Sequence, residues 1–315
     1  MASSTATRPD TDQARGPTPG TALKRSGDWA RRAPLLPALI FVIVMTQLPF
    51  VATLVISFMN WNAYYPDERG FTGFDNFARV FTDTNTRTAV LVTILLTVAV
   101  VLISLVLGLG IALLLDRKFL GRGVVRTMMI TPFLVVPVAA ALLWKHALYN
   151  PEYGLFNGLL KAVFGDNAPQ PDWITNNPLA AIVAALVWQW TPFMMLILLA
   201  GLQSRPLDVV EAARIDGAGP WQIFRSMTLP HLRQYIELSA LLGAIYVVQN
   251  FDHVFTITSG GLGTANLPYF IYQTFYTAQD YGRASAAGVV VVIGTILIAT
   301  AALRTAFSLF KEEGR

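Results

Sequence analysis

Of the 315 residues, 54% are hydrophobic and only 13% are charged, well below the roughly 25% charged residues of an average soluble domain. That balance excludes an ordinary soluble core, and the absence of cysteine excludes disulfides and thiolate metal sites. The formal net charge of +4 comes from basic residues set between apolar runs, which points to membrane topology and away from nucleic acid.

Residues 1–33 are rich in Thr, Pro, Ser, Gly and Arg, bury too little apolar surface to offset ordering entropy, and read as a disordered cytoplasmic tail. The run 34–58 follows Arg31 and Arg32 but is too long for a signal-peptide core and lacks a small-residue cleavage site, so it reads as a retained first transmembrane helix. An extracytoplasmic segment, 59–87, precedes a core of residues 88–310. Within that core, spans are expected near Ala89–Leu115, Val124–Trp144, Leu179–Leu202, Ile236–Thr256 and Ser285–Leu309, each about the 20 apolar residues that cross a bilayer as helix. The runs are continuous rather than alternating, which favours helices over a barrel. The expected fold is an all-α polytopic membrane protein with six transmembrane helices. With the amino terminus cytoplasmic, the inner segments carry six, four, four and three Lys or Arg and the outer ones three, two and one. Both termini, including the tail 311–315, are therefore assigned to the cytoplasm.

The segment 204–231 lies on the inner side by this count. Ser204 can cap a helix, Pro206 suits its first turn, Asp208 and Glu211 favour its positive end, and Gly217 can stop it. A second helix can start at Pro220 and run to Pro230, with Trp221, Phe224 and Met227 on a shared face. No Gly-Lys dipeptide occurs, so the chain carries no phosphate-binding loop of that type.

Glu211-Ala212-Ala213, Gly217, and Met227 with Leu229-Pro230 resemble the EAA signature of binding-protein-dependent ABC importer permeases, which usually carry Ile where Met227 stands. Trp190-Thr191-Pro192, Gln249-Asn250-Phe251-Asp252 and Thr258-Ser259-Gly260-Gly261 resemble the carbohydrate branch, the maltose/glycerol-3-phosphate-type permeases. The resemblance implies a type I permease fold with cytoplasmic coupling helices. It assigns ATPase coupling to Glu211, Ala212, Ala213, Asp216, Gly217, Leu229 and Pro230. It further implies a cell-membrane subunit with a second homologous permease, two cytoplasmic ATPase subunits that bind ATP and Mg, and an extracellular solute-binding protein. No cofactor is expected in this chain itself.

Tyr246, Gln249, Asn250 and His253 fall at helical spacing and are expected on one face, either as a neutral solute-binding stripe or as interhelical hydrogen bonds. Trp188 and Trp190 lie too deep in their span for an interfacial belt and serve either packing or a cavity. Gly260, Gly261 and Gly263 mark an external loop, flexible or in contact with the binding protein. His146, His231 and His253 show no metal-ligand spacing, and no catalytic constellation appears. The resulting expectation is a sugar or polyol importer subunit, with a permease for another solute or an ion-coupled secondary transporter as the alternatives.

Overall fold

The computed structural model describes residues 33–312; residues 1–32 and 313–315, on which the expected tails chiefly fall, lie outside the described residues. The chain divides into two units at Val51. Up to that point it forms a short turn, Ala33–Leu35, and the first part of helix α1 (Leu36–Ser57), which contains no charged residue and occupies the expected first span.

From Ala52 onward the architecture is helical apart from one small antiparallel hairpin, β1 (Met59–Asn60) with β2 (Gly70–Phe71), in which Met59 faces Phe71. Buried Asn76, on α2 (Asp75–Thr82), holds that turn by donating to the carbonyls of Ser57 at 3.0 Å and Met59 at 2.8 Å. Asp83 then caps α3 (Thr84–Asp116), accepting the Thr86 amide at 3.0 Å. At 1.5 Å per residue these 33 residues span about 50 Å, more than a hydrocarbon core requires.

The span expected over Val124–Trp144 is broken. Helix α4 (Arg122–Leu134) stops, and α5 (Pro137–Leu142) with the π-helical turn Leu143–Leu148 leaves at 96° to it. Pro137 supplies the cause: its ring disfavours helical backbone at Val136, which sits at ψ 134°, and it brings no amide to continue the ladder. Two short helices, α6 (Leu155–Phe164) and α7 (Trp173–Asn176), lead into α8 (Pro178–Gln203).

Helix α9 (Leu207–Ile215) is followed by α10 (Pro220–Ile223), whose π-helical turn Phe224–Thr228 runs directly into α11 (Leu229–Val248). The second helix of the 204–231 segment therefore does not end at Pro230, because the wider turn upstream accommodates the proline. The span expected over Ile236–Thr256 is broken as well: α12 (Asp252–Thr258) is bent 51° from α11 across Gln249–Phe251. Helices α13 (Leu267–Tyr272), with its π-helical turn Gln273–Thr277, and α14 (Tyr281–Glu312) complete the chain. Among the described residues, α1, α3 and α8 are long and apolar enough to cross a membrane, and the two bent pairs raise the number to five by length and composition.

Helices α3, α8 and α11 form the central packing unit around buried Val100, Ile182, Leu186, Leu198 and Leu232. Glycines permit their close approach. A Cβ on Gly108 would lie 2.9 Å from the Met195 amide nitrogen, and one on Gly201 would lie 2.6 Å from the Tyr235 ring. We expect Gly108→Leu to destabilise the detergent-purified chain by about 1–3 kcal/mol through overpacking, and Gly110→Leu, which points into open space, to leave the unfolding midpoint unchanged. Equal effects of the two substitutions on that midpoint would contradict the packing described.

Candidate functional site

Helix α9 presents the Glu211 signature on an exposed surface. Glu211, Ala212, Asp216 and Gly217 are exposed, whereas Ala213 is buried at 7% exposure and tethers the helix. Gly217 ends it in the left-handed conformation at φ 87°: the Gly217 amide donates to Arg214 at 3.1 Å and the Ala218 amide to Ala213 at 2.9 Å, a Schellman termination. Pro206 occupies the cap position before the helix rather than its first turn, and Ser204 does not cap it. Instead Ser204 ends α8, its hydroxyl donating to the Gly201 carbonyl at 3.0 Å and lying 2.9 Å from the Tyr235 hydroxyl. Ile215 is 87% exposed and Trp221 70%, with Trp221 stacked on Phe224, so the segment shows an apolar surface around its charges. Leu229 and Pro230 are also exposed, where the segment enters α11.

The two breaks in the long helices are each closed by a side-chain amide. Gln189, on α8 and 4% exposed, donates from Nε2 to the Val135 carbonyl at 2.9 Å, at the break between α4 and α5. Asn266, 1% exposed, donates from Nδ2 to the Asn250 carbonyl at the break between α11 and α12, while its Oδ1 caps α13 by accepting the Tyr269 amide. Lys145 adds a third link, from Nζ to the Thr256 carbonyl at 2.8 Å.

The break at 249–251 separates the residues expected on one face. Tyr246 and Gln249 are exposed, Asn250 is half-buried, and His253 is fully buried at 0%. Gln249 spends its amide on the Ile245 carbonyl of its own helix at 3.2 Å, and Asn250 Nδ2 lies 3.2 Å from His253 Nδ1. Asn250 Oδ1 and His253 Nε2 are buried without a hydrogen-bond partner among the described residues. The two tryptophans part company likewise. Trp190 stacks on Tyr246 with centroids 5.3 Å apart and touches Phe133 and Phe193, whereas Trp188 packs edge-on against Trp144. Trp188 also borders an apolar cavity of about 630 Å³ between α3, α4 and α8, whose lining of Ile, Leu, Val and Met offers little to a hydroxyl-rich solute.

The glycine-rich loop is a self-bonded turn. Buried Thr264 donates to the Gly261 carbonyl at 2.7 Å and lies 2.6 Å from the Thr258 hydroxyl. Gly260 and Gly263 take positive φ, and a Cβ on Gly260 would collide with the Tyr269 ring. Gly261 and Gly263 are exposed beside Leu262. His146 is exposed, His231 lies 3.1 Å from the Gly201 carbonyl through Nε2, and no group of three potential metal ligands occurs among the described residues.

Sequence reasoning gave Gln189 no structural role and missed Asn266 and Arg205 altogether. A glutamine within an apolar span needs a partner, and Val135-Val136-Pro137 marks a break, so the first pairing had a signal. Asn266 lies 16 positions from its partner and had none.

A family model described as the binding-protein-dependent transport system inner membrane component matches residues 104–308. The trehalose/maltose transport system permease protein MalF of Thermococcus litoralis is 35% identical over 263 residues, covering 82% of this chain and 87% of that protein. The trehalose transport system permease protein SugA of Mycobacterium tuberculosis is 32% identical over 255 residues, covering 81% of each. A chain from the crystal structure of a bacterial alginate ABC transporter, in complex with an alginate pentasaccharide-bound periplasmic protein, superposes with a TM-score of 0.74 at 21% identity. It covers 88% of this chain and 93% of that one.

Gln189→Leu strands the Val135 carbonyl and should cost about 1–3 kcal/mol, the penalty of an unmet buried acceptor, whereas Gln249→Leu should stay within about 0.5 kcal/mol. Denaturant titration of both variants in the same detergent checks this; an equal cost for the two would contradict the assignment.

Proposed function

The chain belongs to the family of binding-protein-dependent transport system inner membrane components, and from that premise we propose that it is the membrane-spanning subunit of an ATP-driven importer for a sugar or related carbohydrate. It is a transport component rather than an enzyme. The observation that carries the reading is the family match over residues 104–308, which takes in α9, an exposed helix ended by Gly217 and followed, after the turn 216–219, by α10, which runs without interruption into the long helix α11. The relatives named for trehalose and maltose transport favour a carbohydrate over another solute.

In this reading α14 is the sixth span, both termini and the 204–231 segment lie in the cytoplasm, and α9 is the coupling helix. Glu211, Ala212, Ala213, Asp216 and Gly217 meet an ATPase subunit that binds ATP and Mg, with Leu229 and Pro230 at the root of the contact. A second permease and two ATPases complete the transporter, and a solute-binding protein approaches Gly260, Gly261 and Gly263, where a preformed turn loses little entropy on docking. The stacked Trp190 and Tyr246 rings suit the C–H face of a pyranose, and the Gln249 and Asn250 amides suit its hydroxyls. Gln249 bonds within its own helix, to the Ile245 carbonyl, and is exposed, which favours a solute-facing role for it over interhelical attachment.

The test is uptake of labelled trehalose, maltose, alginate oligosaccharide and glycerol by cells with and without the chain, and with Glu211→Lys. Deletion should abolish uptake of at least one carbohydrate and Glu211→Lys should reproduce the loss with normal membrane insertion. Undiminished uptake of the whole panel after deletion would overturn the carbohydrate reading. Full uptake by Glu211→Lys would remove the coupling role of α9.

A further inference from the structure

The loop entering α9 is fixed by one side chain, Arg205. Its Nη2 donates to Asp116 Oδ2 at 2.6 Å, its Nη1 to the Thr228 hydroxyl at 2.9 Å and its Nε to the Leu202 carbonyl at 2.9 Å. These acceptors belong to three elements. Asp116 is the last residue of α3, Leu202 lies in the last turn of α8, and Thr228 closes the π-helical turn that feeds α11. The Arg205 side chain is only 15% exposed and that of Asp116 27%, so the node sits partly out of water at the root of the 204–231 segment. Pro206 follows directly and limits the backbone freedom of Arg205.

We propose that Arg205 is a positioning residue that locks the root of the 204–231 segment to the ends of α3, α8 and α11, so that a displacement of α9 moves the three helices as one body. The proposal rests on the reading of that segment as the coupling element. An ion pair partly open to solvent contributes little stability, so its value here is geometric. A planar fork with five donors can hold three acceptors on separate elements at fixed angles, which an ammonium on a flexible stem cannot. Two other ion pairs occur among the described residues. Arg233–Glu237 lies within one helix, and Arg283–Asp83 joins the opposite end of α3 to α14, so Arg205–Asp116 links the segment root to α3.

The chain contains no cysteine, so Leu120→Cys and Ile215→Cys, at positions 102% and 87% exposed, can carry nitroxide labels in the full chain in lipid nanodiscs. Electron-resonance distance measurement should give a narrow distribution between them, broadened by Asp116→Asn and kept narrow by Asp116→Glu, which retains the carboxylate that the Arg205 fork binds. In the assembled transporter Asp116→Asn should leave ATPase recruitment intact yet raise the ATP hydrolysed per solute imported by about threefold or more, the scale of substitutions along a coupling route. An unchanged distribution in Asp116→Asn, or equal broadening in Asp116→Glu, overturns the lock. A broadened distribution with native ATP use per solute overturns its part in transmission. The distance readout needs no partner, so a chain that recruits no ATPase but responds to Asp116→Asn refutes the importer reading and retains the lock.

Discussion

An apolar medium offers a freed backbone carbonyl nothing to bond, and each unmet group there costs several kcal/mol. The bundle nonetheless interrupts its helices twice, at 135–136 and at 249–251, and survives because an amide from another element reaches each gap. Gln189 meets the Val135 carbonyl and Asn266 meets that of Asn250. The position of the aromatic and amide groups follows from this. The bend after α11 leaves Tyr246 and Gln249 exposed, buries His253, and sets Trp190 against Tyr246.

Helix α3 provides the counterweight to those broken helices. It is the longest element of the packed core, runs without interruption, and is fixed at both ends by ion pairs of 2.6 Å, Asp83 with Arg283 and Asp116 with Arg205. Burial alone pushes the Asp83 carboxyl upward, but the Thr86 backbone and side-chain hydrogen bonds, the Arg283 charge and the Asn85 amide outweigh it and hold the group below its ordinary range. The stability it lends is thus present above the ordinary carboxylate range and fades as pH falls through the depressed value. Against this strut α8 packs closely at Gly108, and α8 and α11 approach each other at Gly201 and Gly243.

Hydropathy alone located α1, α3 and α8, because an uninterrupted apolar run has few other ways to satisfy its backbone. It did not reveal the breaks inside 124–144 and 236–256 for one reason: composition reports whether a segment tolerates lipid, not whether its hydrogen-bond ladder is continuous. Pro137 announced the first break, but nothing local announced that Asn250 would give up its helical bonding, since the donor that stabilises the gap comes from Asn266. The stop at Gly217 was legible because glycine has a local conformational meaning, and Gly217 ends the helix in the left-handed conformation, whereas Pro230, expected to end the second helix, is carried into α11. Ser204 and Arg205 were not legible, because their partners, Tyr235 and Asp116, are remote in sequence.

In the proposed reading, the broken, internally bonded bundle, joined to an exposed helix through a three-way arginine node, turns a push at one end into a rearrangement of polar and aromatic groups at the other, with the energy supplied by partner ATPase subunits. The account's central claim is therefore that the chain works only as part of an ATP-consuming assembly. The most direct test is native mass spectrometry of the tagged chain released from its own membrane in lipid particles. The account predicts one copy of this chain with one other permease and two ATPase subunits; a chain recovered alone, or only with copies of itself, would contradict it.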